Sequence, residues 1–507
     1  MIRVIPPLLR AFLPFLAFAL GLAGQWLLAP PTRSVVWAVP LLAVAIILWL
    51  LAVPGEDLGP TAKPGPWAPL RMRWAAVGAS AALALVAWPL FRDNRFTAEN
   101  TLLWLAAVAL GSWGFWGRER GEPVAVQRRE ALGFFLVFLL VAVFRLAHLP
   151  TVPAHPFSDH AEKLEDVWDV TEGQLRVFFP RNTGREAFQF YWTWLVGKLF
   201  GTGVSFLSLK LGTALLGLGA VVFVYFLGRF LGGHPLGLLA MLFFGLAYWP
   251  NVISRIGLRF PLYPLFAAAV LYLLFRALHT GRQRDWVLTG LALGLGLHGY
   301  TPFRVMPLVV AVLVLLFWLC HRRQLPWKAV ILRSVVVAAV AFLVFLPLAS
   351  VAWSRPQEFW YRAATRFASL ERSVEGNPWA VFSANVGRAL AMFNYDDGDL
   401  FAISIPHRPA LDRVSGALFL LGVAMAAASL FRRQNFWALA LLLSIPLLQL
   451  PSTLSLAFPH ENPAPNRAGA AAIPALVLAA WAGLVLWRKA ASLAKPAFWV
   501  VSGALLV

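Results

Sequence analysis

Phe188-Gln189-Phe190-Tyr191-Trp192-Thr193-Trp194-Leu195-Val196-Gly197-Lys198-Leu199-Phe200-Gly201 is the stretch on which the topology turns. Its apolar part runs for about 13 residues, short of the roughly 20 that cross about 30 Å of hydrocarbon. It is rich in aromatic side chains, as a membrane interface belt is. We read it as a helix lying on the outer surface of a membrane. Counted as a span, it would reverse every later loop.

Around it, apolar runs long enough to span occupy 11–29, 34–53, 74–91, 100–117, 131–149, 206–228, 235–250, 261–279, 284–300, 304–320, 329–350, 414–431, 435–450 and 468–487. A further run, 496–507, ends with the chain, giving about fifteen spans. The first run is too long and too apolar for a cleaved signal peptide and reads as a signal anchor. Of 507 residues, 60% are hydrophobic and 13% charged. That charged fraction is half of what a soluble protein carries, which excludes a soluble multidomain enzyme and a disordered chain. The single cysteine, Cys320, excludes an internal disulfide framework or a Cys-based metal site.

The net charge of +20 is explained by sidedness. With the N-terminus in the cytoplasm, the short segments on that side hold 22 Lys and Arg against 6 acids, although the translocated segments are much longer. The positive-inside rule predicts this orientation, in the cell membrane. The surplus therefore reflects topology and does not point to nucleic acid. The same orientation leaves two long external loops, 150–205 and 351–413, each holding seven of the 23 acidic residues. Long ordered loops usually carry function, so the chemistry is expected there.

In the first loop, His155-Pro156-Phe157-Ser158-Asp159-His160 leads into a predicted amphipathic interfacial helix. Asp159, Glu162, Asp166 and Asp169 recur on one side, and Leu164, Val167 and Trp168 on the other. The last three acids read as a solvated face. Asp159, at the expected N-cap, reads either as a cap or as a reactive group. Phe178-Phe-Pro-Arg181-Asn182-Thr-Gly-Arg185-Glu186 follows. In the second loop, Asn394-Tyr395-Asp396-Asp397-Gly398-Asp399 lacks the terminal Glu of a calcium-binding EF-hand and reads as a solvated turn. The nine His show no zinc spacing.

A first external loop with an acid, a surface helix ending in Phe200-Gly201 and a following span ending in Gly228-Arg229 resembles the layout of GT-C glycosyltransferases. The likeness is to the family 39 branch, which includes protein O-mannosyltransferases and the aminoarabinose transferase of lipid A. Further matching pieces are Ser254-Arg255-Ile-Gly-Leu-Arg259, Gly299-Tyr300-Thr301-Pro-Phe-Arg304, Phe359-Trp-Tyr-Arg362 and Asn462-Pro463-Ala-Pro-Asn-Arg467. The resemblance covers about 130–487 and leaves 1–129 as an N-terminal extension of four transmembrane helices beside a GT-C domain at 130–507. Many members carry Asp-Glu where this chain has Asp159-His160, so Glu186 is the candidate for a second carboxylate.

The resemblance implies an all-α polytopic membrane enzyme that takes a sugar from a polyprenyl-phosphate carrier to a lipid, glycan or protein acceptor at the extracytoplasmic face. The absence of a phosphate-cradling glycine loop agrees with a donor that is not a nucleotide. Asp159 is the expected base that takes the acceptor proton, with inversion at the anomeric carbon. Arg255, Arg259 and Arg467 are expected on the lipid phosphate, where a bidentate guanidinium is better suited than Lys. His160, Asn182, Arg185, Tyr300, Arg304, His407 and Arg408 are candidates for substrate contacts. The resemblance implies no fixed cofactor: some relatives use a divalent cation and others do not. The alternatives are a transporter or flippase of a lipid-linked sugar, an envelope scaffold, and an oligosaccharide ligase or polymerase of similar layout.

Overall fold

The computed structural model describes residues 7–60, 67–117, 127–367, 371–401, 403–433, 435–492 and 503. The chain is helical almost throughout. It opens with α1 (Pro7–Leu28), α2 (Val35–Ala52), α3 (Trp74–Leu90), α4 (Ala98–Phe115) and α5 (Arg128–Leu146). The first long loop holds α6 (Ser158–Thr171), β1 (Phe178–Phe179), β2 (Arg185–Glu186) and α7 (Phe188–Leu199). The core continues with α8 (Phe206–Leu246), α9 (Tyr248–Arg255), α10 (Leu262–Thr280), α11 (Gln283–Gly296), α12 (Met306–His321) and α13 (Trp327–Ser354). After α14 (Pro356–Phe367) and α15 (Pro378–Ala391) in the second loop come α16 (Arg413–Arg433), α17 (Phe436–Thr453) and α18 (Ala472–Ala491).

Each of the fourteen internal apolar runs is helical. Two of them share α8, which breaks at Gly232 and at Gly233, whose φ of 78° suits only glycine. Among the described residues, nine helices are long and apolar enough to cross a membrane, α8 counted once. The predicted fifteen is reduced because α4 opens on Glu99-Asn100, α5 carries Arg128, Arg129, Glu130 and Arg145, α11 has 14 residues, and α3 is also short. The final run, 496–507, lies outside the described residues apart from 503. At 12 residues, α7 is about 18 Å long, too short to span. It packs on α6 and α8 with Gln189, Phe190, Thr193, Val196 and Gly197 buried.

The extension predicted over 1–129 forms two hairpins on different flanks: α1 and α2 pack against α16, and α3 and α4 against α13. Each hairpin tip grips one long loop. Arg33 binds Asp396 at 3.0 Å and the His407 carbonyl. The buried Asn94 amide donates to the Phe178 carbonyl at 2.7 Å and accepts from the Phe178 N–H at 2.8 Å. Asn94 thus extends the small antiparallel sheet in which Phe178 pairs with Glu186 and Phe179 with Arg185. Asn94→Ala strands both backbone groups and is expected to cost about 2–4 kcal/mol, seen as a lower Tm in detergent; an unchanged Tm would mean the clamp contributes nothing.

The segments assigned to the other side also meet one another. Asn435 donates to the Leu58 carbonyl at 2.7 Å, Gly59 to Leu231 at 2.8 Å, and the Arg71 N–H to Gln283 at 3.1 Å. These contacts join only segments that the charge count places together.

Candidate functional site

At the end of the bundle that carries both long loops, α6, the α9–α10 and α11–α12 connections, α14, Leu400 and Ile403 of the second loop, the end of α17 and the 455–468 segment enclose a cavity of about 510 Å³. Asp159, Tyr300, Arg304, Arg362, Arg366, Glu461 and Arg467 contribute its polar wall. Phe260, Trp360 and Leu450 are among its apolar lining.

Asp159 sits in the first turn of α6. Its carboxylate, 41% exposed, lies 4.0 Å from the Lys163 ammonium and accepts from the Asn182 amide at 3.3 Å. Capping does not occupy it, because Phe157 is the N-cap. His160, a predicted substrate contact, is buried and turned away: one ring nitrogen accepts from the Phe157 N–H at 3.1 Å and the other meets the Ile256 carbonyl at 2.6 Å. It fixes the start of α6 to the α9–α10 connection.

The solvated acidic face expected on α6 faces inward instead. Asp166 and Asp169 are buried, pairing with Arg181 at 2.8 and 2.6 Å, and Arg185 reaches Asp166 at 3.0 Å and also Glu162. Trp168, expected on the apolar side, is exposed. Helical spacing correctly groups the acids, but the arginines of the β1–β2 hairpin decide which face is buried. Burial lifts the Asp166 carboxyl above the usual range despite the pull of Arg181 and Arg185. The hairpin turn holds Asn182, Thr183 and Gly184 at positive φ, and a Cβ on Gly184 would lie 2.4 Å from the Phe178 ring.

Lys163 is buried beside Asp159 and donates to the Asp159 carbonyl at 2.8 Å. Burial, then the charge of Arg185, pulls its pKa down to about 7, with Asp159 opposing. Between that value and the ordinary 10.5 the unfolded chain holds a proton that the folded chain does not, so stability rises with pH across this window. Wild-type Tm is expected to climb more between pH 7 and 9 than that of Lys163→Met. Equal slopes would contradict the depressed value.

Glu186, the candidate second carboxylate, is fully buried. It accepts from Arg259 at 2.8 Å, Arg304 at 2.9 Å and Thr301 at 3.1 Å. Burial pushes its carboxyl up, but Arg304 and Arg259 outweigh this and hold it below the usual range. It organises arginines and does not line the cavity. Tyr300 lies under the Arg259 guanidinium, 5.3 Å from carbon to ring centroid. Arg304 stacks on Phe359 at 3.9 Å.

The three arginines predicted on the phosphate separate. Arg467 lines the cavity and pairs with Glu461 at 2.8 Å. Arg259 stands behind Tyr300, held by Glu186. Arg255 is elsewhere: as the last residue of α9 it donates to the carbonyls of Phe144, Arg145, Ala147 and Val152, capping the C-terminus of α5. His407 and Arg408 also stay outside the cavity. His407 bridges Asp396 and Asp399 at 3.2 and 2.6 Å, and Arg408 stacks on Tyr248. The turn read as solvated therefore closes on His407 and Arg33; within it Asp397 is buried, its carboxyl pushed up to about 7 by burial.

Three cavity residues outside the predicted site set complete it: Arg362, Arg366 and Glu461. Arg366 pairs with Glu461 at 3.0 Å. Arg362 donates to the Asn182 carbonyl and the Thr183 hydroxyl, both at 3.1 Å, and has no carboxylate within ion-pair distance among the described residues. The Phe359-Trp-Tyr-Arg362 piece was the available signal. Among the described residues no group of three or more His, Cys, Asp or Glu side chains could hold a metal ion.

The architecture, a polytopic bundle of apolar helices with a charged chamber at its loop-bearing end, has the GT-C fold. Residues 187–351 match the family model described as dolichyl-phosphate-mannose-protein mannosyltransferase. Among solved structures, the chain is similar to the archaeal oligosaccharyltransferase AglB from Archaeoglobus fulgidus, in complex with an inhibitory peptide and a dolichol-phosphate. The TM-score is 0.51 at 15% identity, over 75% of this chain and 54% of that one. The chain thus spans about half the length of AglB. ArnT from Cupriavidus metallidurans, bound to undecaprenyl phosphate, aligns with TM-score 0.46 at 17% identity, over 74% of this chain and 70% of that one. No curated protein matches the chain.

Proposed function

We propose that the protein transfers a sugar from a polyprenyl-phosphate carrier to an acceptor hydroxyl at the extracytoplasmic side of the cell membrane. Asp159 acts as base, and Arg362, Arg366 and Arg467 receive the phosphate, with Arg304 beside them. The observation that carries this reading is the charge imbalance of the chamber. Glu186 is shared by Arg259 and Arg304, and Glu461 by Arg366 and Arg467, while Arg362 has no acid in ion-pair range among the described residues. With Asp159 on the chamber wall counted, five guanidiniums thus meet three carboxylates, an excess of two positive charges. Buried charge is costly without a counter-charge, and a phosphate dianion in the chamber would supply most of it. Among the described residues, the buried Nε groups of Arg304 and Arg467 have no hydrogen-bond partner, two donors available to an anion.

The prenyl tail fits the apolar groove of about 760 Å³ between α11, α12 and α13, lined by Leu297, Val310, Val314, Val337 and Phe345. Its upper end meets the chamber, since Phe345 packs on Phe359, on which Arg304 stacks. In the reaction, Asp159 takes the acceptor proton as the acceptor oxygen bonds to the anomeric carbon. The bond from that carbon to the phosphate oxygen breaks, and the arginines hold the leaving phosphate.

Membranes containing the protein and a radiolabelled polyprenyl-phosphate sugar test this. Arg362→Gln removes a charge-assisted contact worth about 1.5–3 kcal/mol. Donor KM is expected to rise about 10- to 150-fold with Tm unchanged. Movement of the labelled lipid across the bilayer without transfer would establish the flippase alternative in its place.

A further inference from the structure

Next to the chamber lies a second and larger cavity, about 850 Å³, between the end of α5, the end of α8, α9 and the start of α16. Its walls are mainly apolar, from Phe144, Leu242, Phe243, Leu246 and Val252. Phe401, Ile405 and Val152 at its edge are 82%, 57% and 54% exposed, an apolar rim of the kind that meets hydrocarbon.

Three cations gather behind this wall. Arg255 lines the cavity. Arg145, fully buried, donates to Asn251 at 3.2 Å, Ser254 at 3.4 Å and the Gly245 carbonyl at 3.1 Å. Lys210, also buried, donates to the Pro150 and Pro153 carbonyls at 3.0 Å each. All find hydrogen-bond acceptors, but among the described residues none has a carboxylate in ion-pair range. The C-terminus of α5 supplies the equivalent of roughly half a negative charge, far short of three positive ones. Asp412, on the opposite wall, caps the N-terminus of α16 through the Ser415 N–H at 2.8 Å.

The cavity also shares a wall with the chamber. Ile403 lines both, and the strip separating them, Ile256 to Leu258, is the one to which His160, next to Asp159, is fastened. We propose that this groove seats a second lipid with a phosphate head, and that this lipid is the acceptor. Its chains lie between α5, α8 and α16, its head lies against the Arg255–Arg145–Lys210 cluster, and its hydroxyl reaches Asp159 past Ile403. The acceptor assignment rests on the transferase reading above; the lipid site does not.

Native mass spectrometry of the full-length protein in detergent tests the site, with dioleoylphosphatidylglycerol and dioleoylphosphatidylcholine as probes. Wild type is expected to retain one more phosphatidylglycerol than Val252→Trp, which fills the groove, and than Arg255→Gln, with no such difference for phosphatidylcholine. Polyprenyl phosphate is expected to remain bound by both variants. Equal phosphatidylglycerol retention by all three proteins, or its displacement by polyprenyl phosphate, would overturn the second site. After incubation of native membranes with labelled donor, label is expected in the solvent-extracted lipid and to fall at least tenfold in Val252→Trp. Label in protein would overturn the lipid acceptor while leaving the transferase intact. Loss of all transfer in wild type would remove the enzyme reading and the acceptor with it, while the lipid-retention result still judges the groove.

Discussion

Asp159→Asn is expected to retain polyprenyl-phosphate binding and lose transfer by about 10²- to 10⁴-fold, the usual contribution of a positioned base. The substitution keeps the shape of the side chain and removes its capacity to take a proton. Asp159 is suited to this because it lines the chamber, is partly open, and is steadied by Asn182 at 3.3 Å and Lys163 at 4.0 Å. No deeply buried ion pair consumes it, unlike Asp166 or Glu186. Comparison of initial rates and donor binding in the same membranes separates the two effects. A variant that transfers at the wild-type rate would remove Asp159 from the chemistry.

Glu186→Gln is expected to be the most destabilising single change in the site. It leaves Arg259 and Arg304 sharing a neutral amide in a buried place, and breaking a buried pair costs about 3–5 kcal/mol. The effect should appear as a large fall in Tm. Adding Arg304→Gln should restore part of it, because the second change removes one of the stranded charges. Since the folded state holds the Glu186 carboxyl below its ordinary pKa, its contribution is present above that pKa and is lost as pH falls through the folded value. Wild type should therefore lose stability on the acid side more steeply than Glu186→Gln. Equal Tm values for wild type and Glu186→Gln would show that Arg259 and Arg304 do not depend on this carboxylate.

Much of the architecture was legible because it rests on local properties. Apolar run length located the helices, and the shortness of Phe188–Leu199 kept it out of the count of spans. Charge alternation grouped the loops into two sets, and the hydrogen bonds between segments respect that grouping. Asp159, Tyr300, Arg304 and Arg467 meet in one cavity because each stands at a helix end or loop on the same side. Less legible were features decided by partners far away in sequence. Arg366 and Glu461 are 95 residues apart, and Glu186 meets Arg259 and Arg304 across 73 and 118; no spacing rule reaches so far. Arg255 and Arg259 look equivalent in sequence, but Gly257, at φ 83°, turns the chain between them. One caps α5 and the other turns into the core against Glu186. The four N-terminal helices read as one appendage because nothing local reveals that Arg33 and Asn94 hold different loops.

The central claim, a lipid phosphate held by arginines beside Asp159, is tested most directly by a cryo-EM structure of the protein with polyprenyl phosphate. The account predicts phosphate density in contact with Arg362, Arg366 and Arg467, and the prenyl chain descending between α12 and α13. Phosphate density away from these arginines, with the chamber filled only by solvent, would contradict it.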